Sequence, residues 1–472
     1  MGVRRRQLAV RTLLIGMLAA AGDGRPAHLT RVHRALLALP ADGRRRLGVD
    51  ADGHGRPHAL TYRQVEYTFG ITAAVVSKPN PDGTPSDTLA EVVAALVESS
   101  IPAAYKQAST SLAVDWTDHE AWALGPHSDG ATYDPQASWG HRRSHAIGEK
   151  SEVFYGYYLS AATMIADEDG PPVPELIRRI TLTACNIDPV AAFIPTLKHL
   201  AKTVNLGDVV ADSGYAHRVA AHWALPLRAL GANLVTDLHP SDRGPKGTFA
   251  GAICANGDLY CPATPTSLLN LAPLARGADN DTVAAHHALT DEAARWRLAP
   301  HGSDDTDGYH REACPAVAGK IRCPLRPESI ALPYQRPEVL NPPEHPPCCC
   351  TQKTITVPPT VNPKTRQKHP YPGTPWAASY ARRTAAERAF ATLKDPAATD
   401  INRGWCRLAG LAAITLLLAT TIAARNLRIA DAYHNRQTDN TNRANRGLPP
   451  RTRRRRRRSL TQLAAATANS PP

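Results

Sequence analysis

Two short apolar runs, each ending at an acid, do most to limit what this chain can fold into. Residues 112–116 read Leu-Ala-Val-Asp-Trp, and residues 208–212 read Asp-Val-Val-Ala-Asp. Both read as short buried strands that end in an aspartate, Asp115 in the first and Asp212 in the second. Further strands are expected over 153–164, 179–185 and 233–238. Helical spacing covers 188–204, with Asp188-Pro189 as cap and first turn, and 217–230, where Pro226 should kink the helix. Three strands, a helix, a strand, a helix and a strand predict a mixed α/β sheet over 108–239.

The flanks differ in kind. Residues 1–107 carry helical patterns at 27–39, 61–69 and 89–97 and are expected to form a helical DNA-binding region. Regular patterning stops at 240–372. This stretch concentrates proline, of which the chain has 41 in 472 residues, and holds seven of the nine cysteines. It reads as a Cys/Pro-rich insertion. Helical periodicity returns over 376–393 and 403–430, so the sheet domain is expected to comprise 108–239 and 373–430. Residues 431–472 form a basic tail.

Charge points to the same class of partner. The net charge is +13, and residues 425–472 carry twelve arginines against two aspartates. Arg451 and the run 453–458 make that tail self-repelling and attractive to nucleic-acid phosphate. Two apolar stretches imitate membrane signals. In the first, residues 8–21, Arg11 interrupts the apolar run and 22–26 is a poor cleavage context. The second, residues 408–424, is at the short limit for a span and carries three threonines. A buried helix explains it more simply, and no membrane association is expected.

Two aspartates on neighbouring strands repel unless a cation lies between them. Hard carboxylates suit magnesium or manganese, which hold phosphate oxygens in displacement reactions. A third acid comes from residues 379–394, Ser-Tyr-Ala-Arg-Arg-Thr-Ala-Ala-Glu-Arg-Ala-Phe-Ala-Thr-Leu-Lys. Here Tyr380, Arg383, Glu387 and Lys394 recur at intervals of three, four and seven, which puts them on one face of a helix. Ala386, Phe390 and Leu393 define a separate apolar face. The plainer reading of the polar face is a solvated surface with an Arg383–Glu387 ion pair.

The Y-x2-R-x3-E-x6-K spacing resembles that of the DDE-type transposases of cut-and-paste insertion sequences. Val114-Asp115-Trp116-Thr117-Asp118 is similar to the family's first-acid strand. Ala211-Asp212-Ser213-Gly214-Tyr215 is similar to its second-acid motif, and Glu387 stands where its third acid stands. The resemblance covers about 108–430. It implies a ribonuclease-H-like catalytic core, with Asp115, Asp212 and Glu387 holding two Mg2+ or Mn2+ ions for cleavage and strand transfer. It also implies phosphate contacts from Arg383 and Lys394 and a DNA-positioning role for Tyr380. Partners would be double-stranded DNA, at element ends and target, and a second copy of the chain as a homodimer on that DNA. The setting would be bacterial, cytoplasmic and nucleoid-associated. The 175 residues between Asp212 and Glu387 match the family subgroup that carries an insertion there, although its familiar insertions are β-rich. Asp118, outside the apolar run, is expected in a loop or cap.

Within the insertion, Cys261, Cys314, Cys323, Cys348, Cys349 and Cys350 offer enough soft ligands for four of them to make a structural zinc site. The bland alternative is a set of small buried residues without metal. The functional rivals are a nuclease of the same fold that does not join strands, and an inactive relic that only binds DNA.

Overall fold

In the computed structural model, which describes residues 8–24, 28–51, 56–78, 86–126, 130–142, 152–275, 277–305, 307–341 and 343–451, five helices precede the first strand. They are α1 (Val10–Gly22), α2 (Leu29–Ala38), α3 (Ala41–Arg46), α4 (Tyr62–Val76) and α5 (Asp87–Ser99). The chain divides into two compact units, Met1–Leu427 and Arg428–Pro472. The architecture that follows belongs to the first.

The N-terminal helices bury one stripe each. Leu13, Met17, Leu36, Val65, Phe69 and Val97 join a single apolar cluster with Leu159, Ile180, Leu182, Leu393 and Leu417 of the later chain. A Cβ at Gly16 would lie 2.7 Å from Leu36 Cγ, so the close crossing of α1 over α2 needs glycine there. The helical region expected over 1–107 is therefore not a separate module. Its apolar stripes are too small to close on themselves and are completed by the sheet domain. The apolar stretch 8–21 is core helix for the same reason.

The central sheet contains β1 (Leu112–Glu120), β2 (Ser138–Arg142), β3 (Glu152–Met164), β4 (Ile177–Ala184), β5 (Asp208–Ala211) and β6 (Asn233–Thr236). Its order is β4-β3-β1-β5-β6, with β2 extending beside the first half of β3. β3 runs antiparallel to both β1 and β4, whereas β5 is parallel to β1 and β6 is parallel to β5. The fold is thus mixed α/β. β1 continues past Asp115 to Glu120 and places Asp118 inside the strand opposite Tyr158, where a loop or cap was expected. The polar half of β1 escapes an apolar-run criterion because pairing with β3, not burial of side chains alone, holds it extended.

Helices cover both faces. α6 (Pro189–Ala201) starts at Asp188, whose carboxylate accepts the Val190 N–H. It packs with α8 (Ala224–Ala229) on the face carrying Leu112, Val114, Val209 and Ala211. The helix expected over 217–230 is instead split into a 3₁₀ turn at Ala220–His222 and α8. α7 (Ser213–Ala216) begins directly after β5, and Pro226 falls in the first turn of α8, where proline is tolerated.

The insertion is more regular than its composition suggests. It holds β7 (Pro245–Phe249), β8 (Ala252–Ala255) and β9 (Asp258–Tyr260) as one antiparallel sheet. Next come α9 (Thr266–Leu269), α10 (Asn280–Trp296), β10 (Ala299–Pro300), β11 (His310–Ala313), α11 (Cys348–Thr351) and β12 (Thr354–Val357). β10, β11 and β12 form a second antiparallel sheet. Strands of two to five residues are too short to display a period. The returning chain covers the outer edge of β6: Lys368 N–H donates to Leu234 O at 3.1 Å, and the Gln367 amide bonds Thr236 N–H and O at 2.7 Å each.

α12 (Thr374–Tyr380), a 3₁₀ turn at Ala381–Arg383 and α13 (Thr384–Leu393) follow, where one continuous helix was expected. The last helix, α14 (Leu411–Ala444), starts eight residues later than expected and runs further. It is buried on every side from Ile414 to Asn426. By length and composition alone it could cross a membrane, with mean hydropathy 1.3 over its apolar window, but 72% of that window is buried within the protein. The arginine run 453–458 lies outside the described residues.

Candidate active site

Side chains alternate along a strand, and that alternation settles which face the acids share. Leu112 and Val114 face the α6 layer, while Ala113 packs with Val210, Trp376, Ala385 and Ala386 on the α13 side. Asp115 has the parity of Ala113. Asp212 has the parity of Val210, and its backbone stays extended as the N-cap of α7. The parallel register pairs Leu112 with Val209 and Ala113 with Val210. Continued by two residues, it sets Asp115 beside Asp212. Glu387 comes from α13, which lies over the same face.

Electrostatics agree with that placement. Burial first, then the Asp212 carboxylate, pushes Asp115 up to about 7. The Trp116 N–H, which donates to Asp115 Oδ1 at 2.8 Å, and the Arg383 guanidinium act against the rise, and Glu387 adds to it. Asp212 Oδ1 accepts the Gly214 N–H at 2.9 Å. A Cβ at Gly214 would lie 2.7 Å from Trp116 Cη2 and 3.0 Å from Asp212 Oδ1, so only glycine lets this loop sit against the acids. Trp116, Tyr215 and Trp223 then pack in series, their rings tilted at 58° and 51° with centroids 4.8 and 4.6 Å apart, beneath the site.

Arg383 joins the trio. Its Nη1 lies 3.8 Å from Asp115 Oδ2 and its Nη2 donates to Glu387 Oε1 at 2.5 Å. The i,i+4 pair of the plainer reading is thus present, but its arginine is 17% exposed and reaches a second carboxylate, so the face is not simply solvated. Tyr380 stacks on Trp376 at 5.0 Å, with the Arg383 guanidinium 5.7 Å from its ring centre. A cleft of about 460 Å³, lined by Asp237, His286, His287, Trp376, Tyr380 and Arg383, opens beside this pair between the insertion and α12–α13. Lys394 is not brought to the acids. It donates to Asp118 Oδ1 at 2.9 Å, and Arg142 takes Asp118 Oδ2 at 2.8 Å. The break at 381–383 ends the single helical face that the sequence spacing implied.

The residues that set α13 in place carry no sequence signature. Arg382 and Lys368 both bond Asp208 Oδ2 at the start of β5, at 2.6 and 2.9 Å. Asn426 is fully buried. It accepts the Ile177 N–H at 3.0 Å and donates to Ile177 O at 2.7 Å and Ser100 Oγ at 3.1 Å. Its neighbour Arg425 donates to Thr392 Oγ1 on α13 at 3.0 Å. Arg425 and Asn426 are polar residues at the end of an apolar run, a signal that could have found them; Arg382 and Lys368 stand among other polar residues and carry none.

All nine cysteines are free thiols. Burial, opposed by the Ala263 backbone and joined by the neighbouring Cys350, Cys314 and Cys323, pushes Cys261 up to about 11. Cys350 is raised by burial and by Cys314 and Cys323, against a hydrogen bond from Cys349. Cys261, Cys314, Cys323 and Cys350 therefore share one neighbourhood, and Cys348 is exposed outside. Among the described residues, one group of His, Cys, Asp or Glu brings three donor atoms within 4.8 Å of one another. It is His217, His239 and Asp242, and neither the cysteines nor the acids Asp115, Asp212 and Glu387.

The acid trio fits a divalent cation by its donor chemistry. It offers hard oxygen ligands only, and the burial and the Asp212 charge that raise the Asp115 pKa are what a bound cation would relieve. No family model matches this chain, and no curated protein matches it in sequence.

Proposed function

We propose that this chain is a DDE-type DNA transposase with a ribonuclease-H-like catalytic core, which cuts DNA at the ends of a mobile element and joins them to a target. The observation that carries the reading is the placement of Asp115, Asp212 and Glu387, from β1, the end of β5 and α13, on one face of the sheet around Arg383; their carboxylate oxygens do not all lie within 4.8 Å of one another. Asp115 responds electrostatically to both other acids, and Arg383 touches Asp115 and Glu387 at once. The strand order β4-β3-β1-β5-β6, with only the first three strands antiparallel, supports the ribonuclease-H-like part. The insertion between the second and third acids supports the transposase subgroup.

Asp115, Asp212 and Glu387 would hold Mg2+ or Mn2+ through their carboxylate oxygens. Bound there, a divalent ion supplies Lewis-acid polarisation of the phosphodiester and a lowered pKa for the attacking water or 3′-hydroxyl. Arg383 balances the acids before metal binds and turns to a phosphate oxygen when DNA enters the cleft. Tyr380, buried against Trp376, fixes the wall against which the DNA end is positioned. Asp208, through Arg382 and Lys368, holds that wall to the sheet. The insertion offers Cys261, Cys314, Cys323 and Cys350 to a structural zinc ion, which metal analysis of wild type against Cys314→Ser tests. The protein works on chromosomal DNA as a homodimer, in the cytoplasm at the nucleoid.

Labelled duplexes copied from the DNA flanking the gene, incubated with the protein and Mn2+ or Mg2+, test the reading. Cleavage followed by joined products supports it. Cleavage without joining favours the nuclease, and binding without cleavage the relic.

A further inference from the structure

His217 follows α7, five residues after Asp212. His239 caps the 3₁₀ turn Pro240–Asp242 that leaves β6, and Asp242 closes that turn. The two imidazole rings lie 4.0 Å apart at 37°, and His217 Nδ1 is 3.9 Å from Asp242 Oδ2. The donor atoms of all three residues fall within 4.8 Å of one another.

We propose that His217, His239 and Asp242 form a second metal site, separate from the acid trio, for one divalent ion of the zinc class. Two imidazole nitrogens and one carboxylate oxygen make a borderline donor set that favours zinc, cobalt or nickel over magnesium. His239 Nδ1 accepts the Ser241 N–H at 3.2 Å and lies 2.6 Å from Ser241 Oγ, contacts that hold the ring's orientation and leave Nε2 as its free nitrogen. Lys364 Nζ, 2.7 Å from Asp242 Oδ2, balances the carboxylate in the absence of an ion. A carboxylate has about four lone-pair sites, so Asp242 can keep Lys364 and still bind a metal. His217 is half exposed, which leaves the ion a route in from solvent.

The position gives the site its role. One ligand follows the loop that carries Asp212, and two come from the turn leading into β7. An ion here ties the second-acid loop to the root of the insertion and acts as a positioning clamp rather than in the chemistry.

The test is a Co2+ titration of the full-length protein after chelator stripping, followed by visible absorption. Wild type and the Asp115→Asn/Asp212→Asn double variant should both bind Co2+ and show, beside any thiolate bands, bands of nitrogen–oxygen ligation. His217→Ala and His239→Asn should bind it at least about 10-fold more weakly. Circular dichroism of His217→Ala, altered at a half-exposed side chain, checks that it stays folded. Unchanged Co2+ binding in folded His217→Ala and in His239→Asn would overturn the site. So would a wild-type spectrum made only of thiolate charge-transfer bands that disappear in Cys314→Ser, because the ion would then sit on the cysteines.

Discussion

Arg383 Nη1 stands 3.8 Å from Asp115 Oδ2 while the same guanidinium bonds Glu387, so one cation serves two acids from different layers of the fold. A helix-surface ion pair would involve Glu387 alone. Reaching Asp115 across to β1 requires α13 to lie over the sheet at this point, and the 3₁₀ turn at Ala381–Arg383 sets the direction of the arginine.

The three acids should behave alike. Asp115→Asn, Asp212→Asn and Glu387→Gln are each expected to lower cleavage by roughly 100-fold or more, the scale of losing one electrostatic element of a preorganised site. Binding to the DNA ends should survive in a mobility-shift assay. Cleavage retained in any one of the three would remove that residue from the site.

Asp115 makes metal-free stability depend on pH. Its folded pKa, about 7, lies above the ordinary 3.8. The stability linked to its neutral form is therefore complete below the ordinary value and is lost as pH rises through about 7. Asp115→Asn should flatten that loss and melt higher than wild type at about pH 8 without metal. Mg2+ should raise the wild-type melting temperature at that pH and leave the variant nearly unmoved. Parallel pH profiles for the two proteins would contradict the coupling of Asp115 to Asp212.

Arg383→Ala separates the two partners of the guanidinium. Removing a cation from beside the carboxylates should tighten Mg2+ binding, read by calorimetry. It should also weaken DNA binding and reduce the slope of log affinity against log salt by about one. An unchanged slope would mean that Arg383 stays with the acids when DNA is bound.

Lys394→Met tests a different location. Burial raises the Asp118 pKa, but hydrogen bonds and charge from Lys394 and Arg142 outweigh it and leave the group below its ordinary value. The linked stability is present above that value and is lost as pH falls. The variant should lose about 1–3 kcal/mol at neutral pH, the worth of a charge-assisted hydrogen bond, and match wild type in acid. A salt slope that falls as for Arg383→Ala would show that Lys394 leaves Asp118 for phosphate.

Asn426→Ala should cost about 2–4 kcal/mol in chemical denaturation, since the Ile177 N–H and O and the Ser100 hydroxyl all lose a partner inside the core. Asn426→Asp should be at least as damaging, because Ile177 O then faces an acceptor. A neutral result for both would mean that water replaces the amide.

The alternating pattern and the acids that close the two apolar runs are local facts, and they were legible, although β1 runs on past Asp115 to Glu120. The apolar runs at 112–116 and 208–212 mark β1 and β5 because a strand buried on both sides must be apolar at every position. Asp188 marks the start of α6 because a cap is written within three residues. Asp115, Asp212 and Glu387 could be named in order, but not brought together: that depends on β5 pairing parallel to β1 and on α13 crossing the same face. Those are contacts between residues up to 272 positions apart, and no local preference encodes them. The spacing of Tyr380, Arg383, Glu387 and Lys394 implied one helical face. In the structure a 3₁₀ turn at 381–383 interrupts that helix, and Lys394, at the C-terminal end of α13, meets Asp118 three residues further along β1 than Asp115. The N-terminal helices were visible as amphipathic stripes, but which surface they would cover was not, since an apolar stripe specifies burial and leaves its partner open. His217, His239 and Asp242 are unremarkable in sequence for the same reason. They become a group only when the ends of β5 and β6 are side by side.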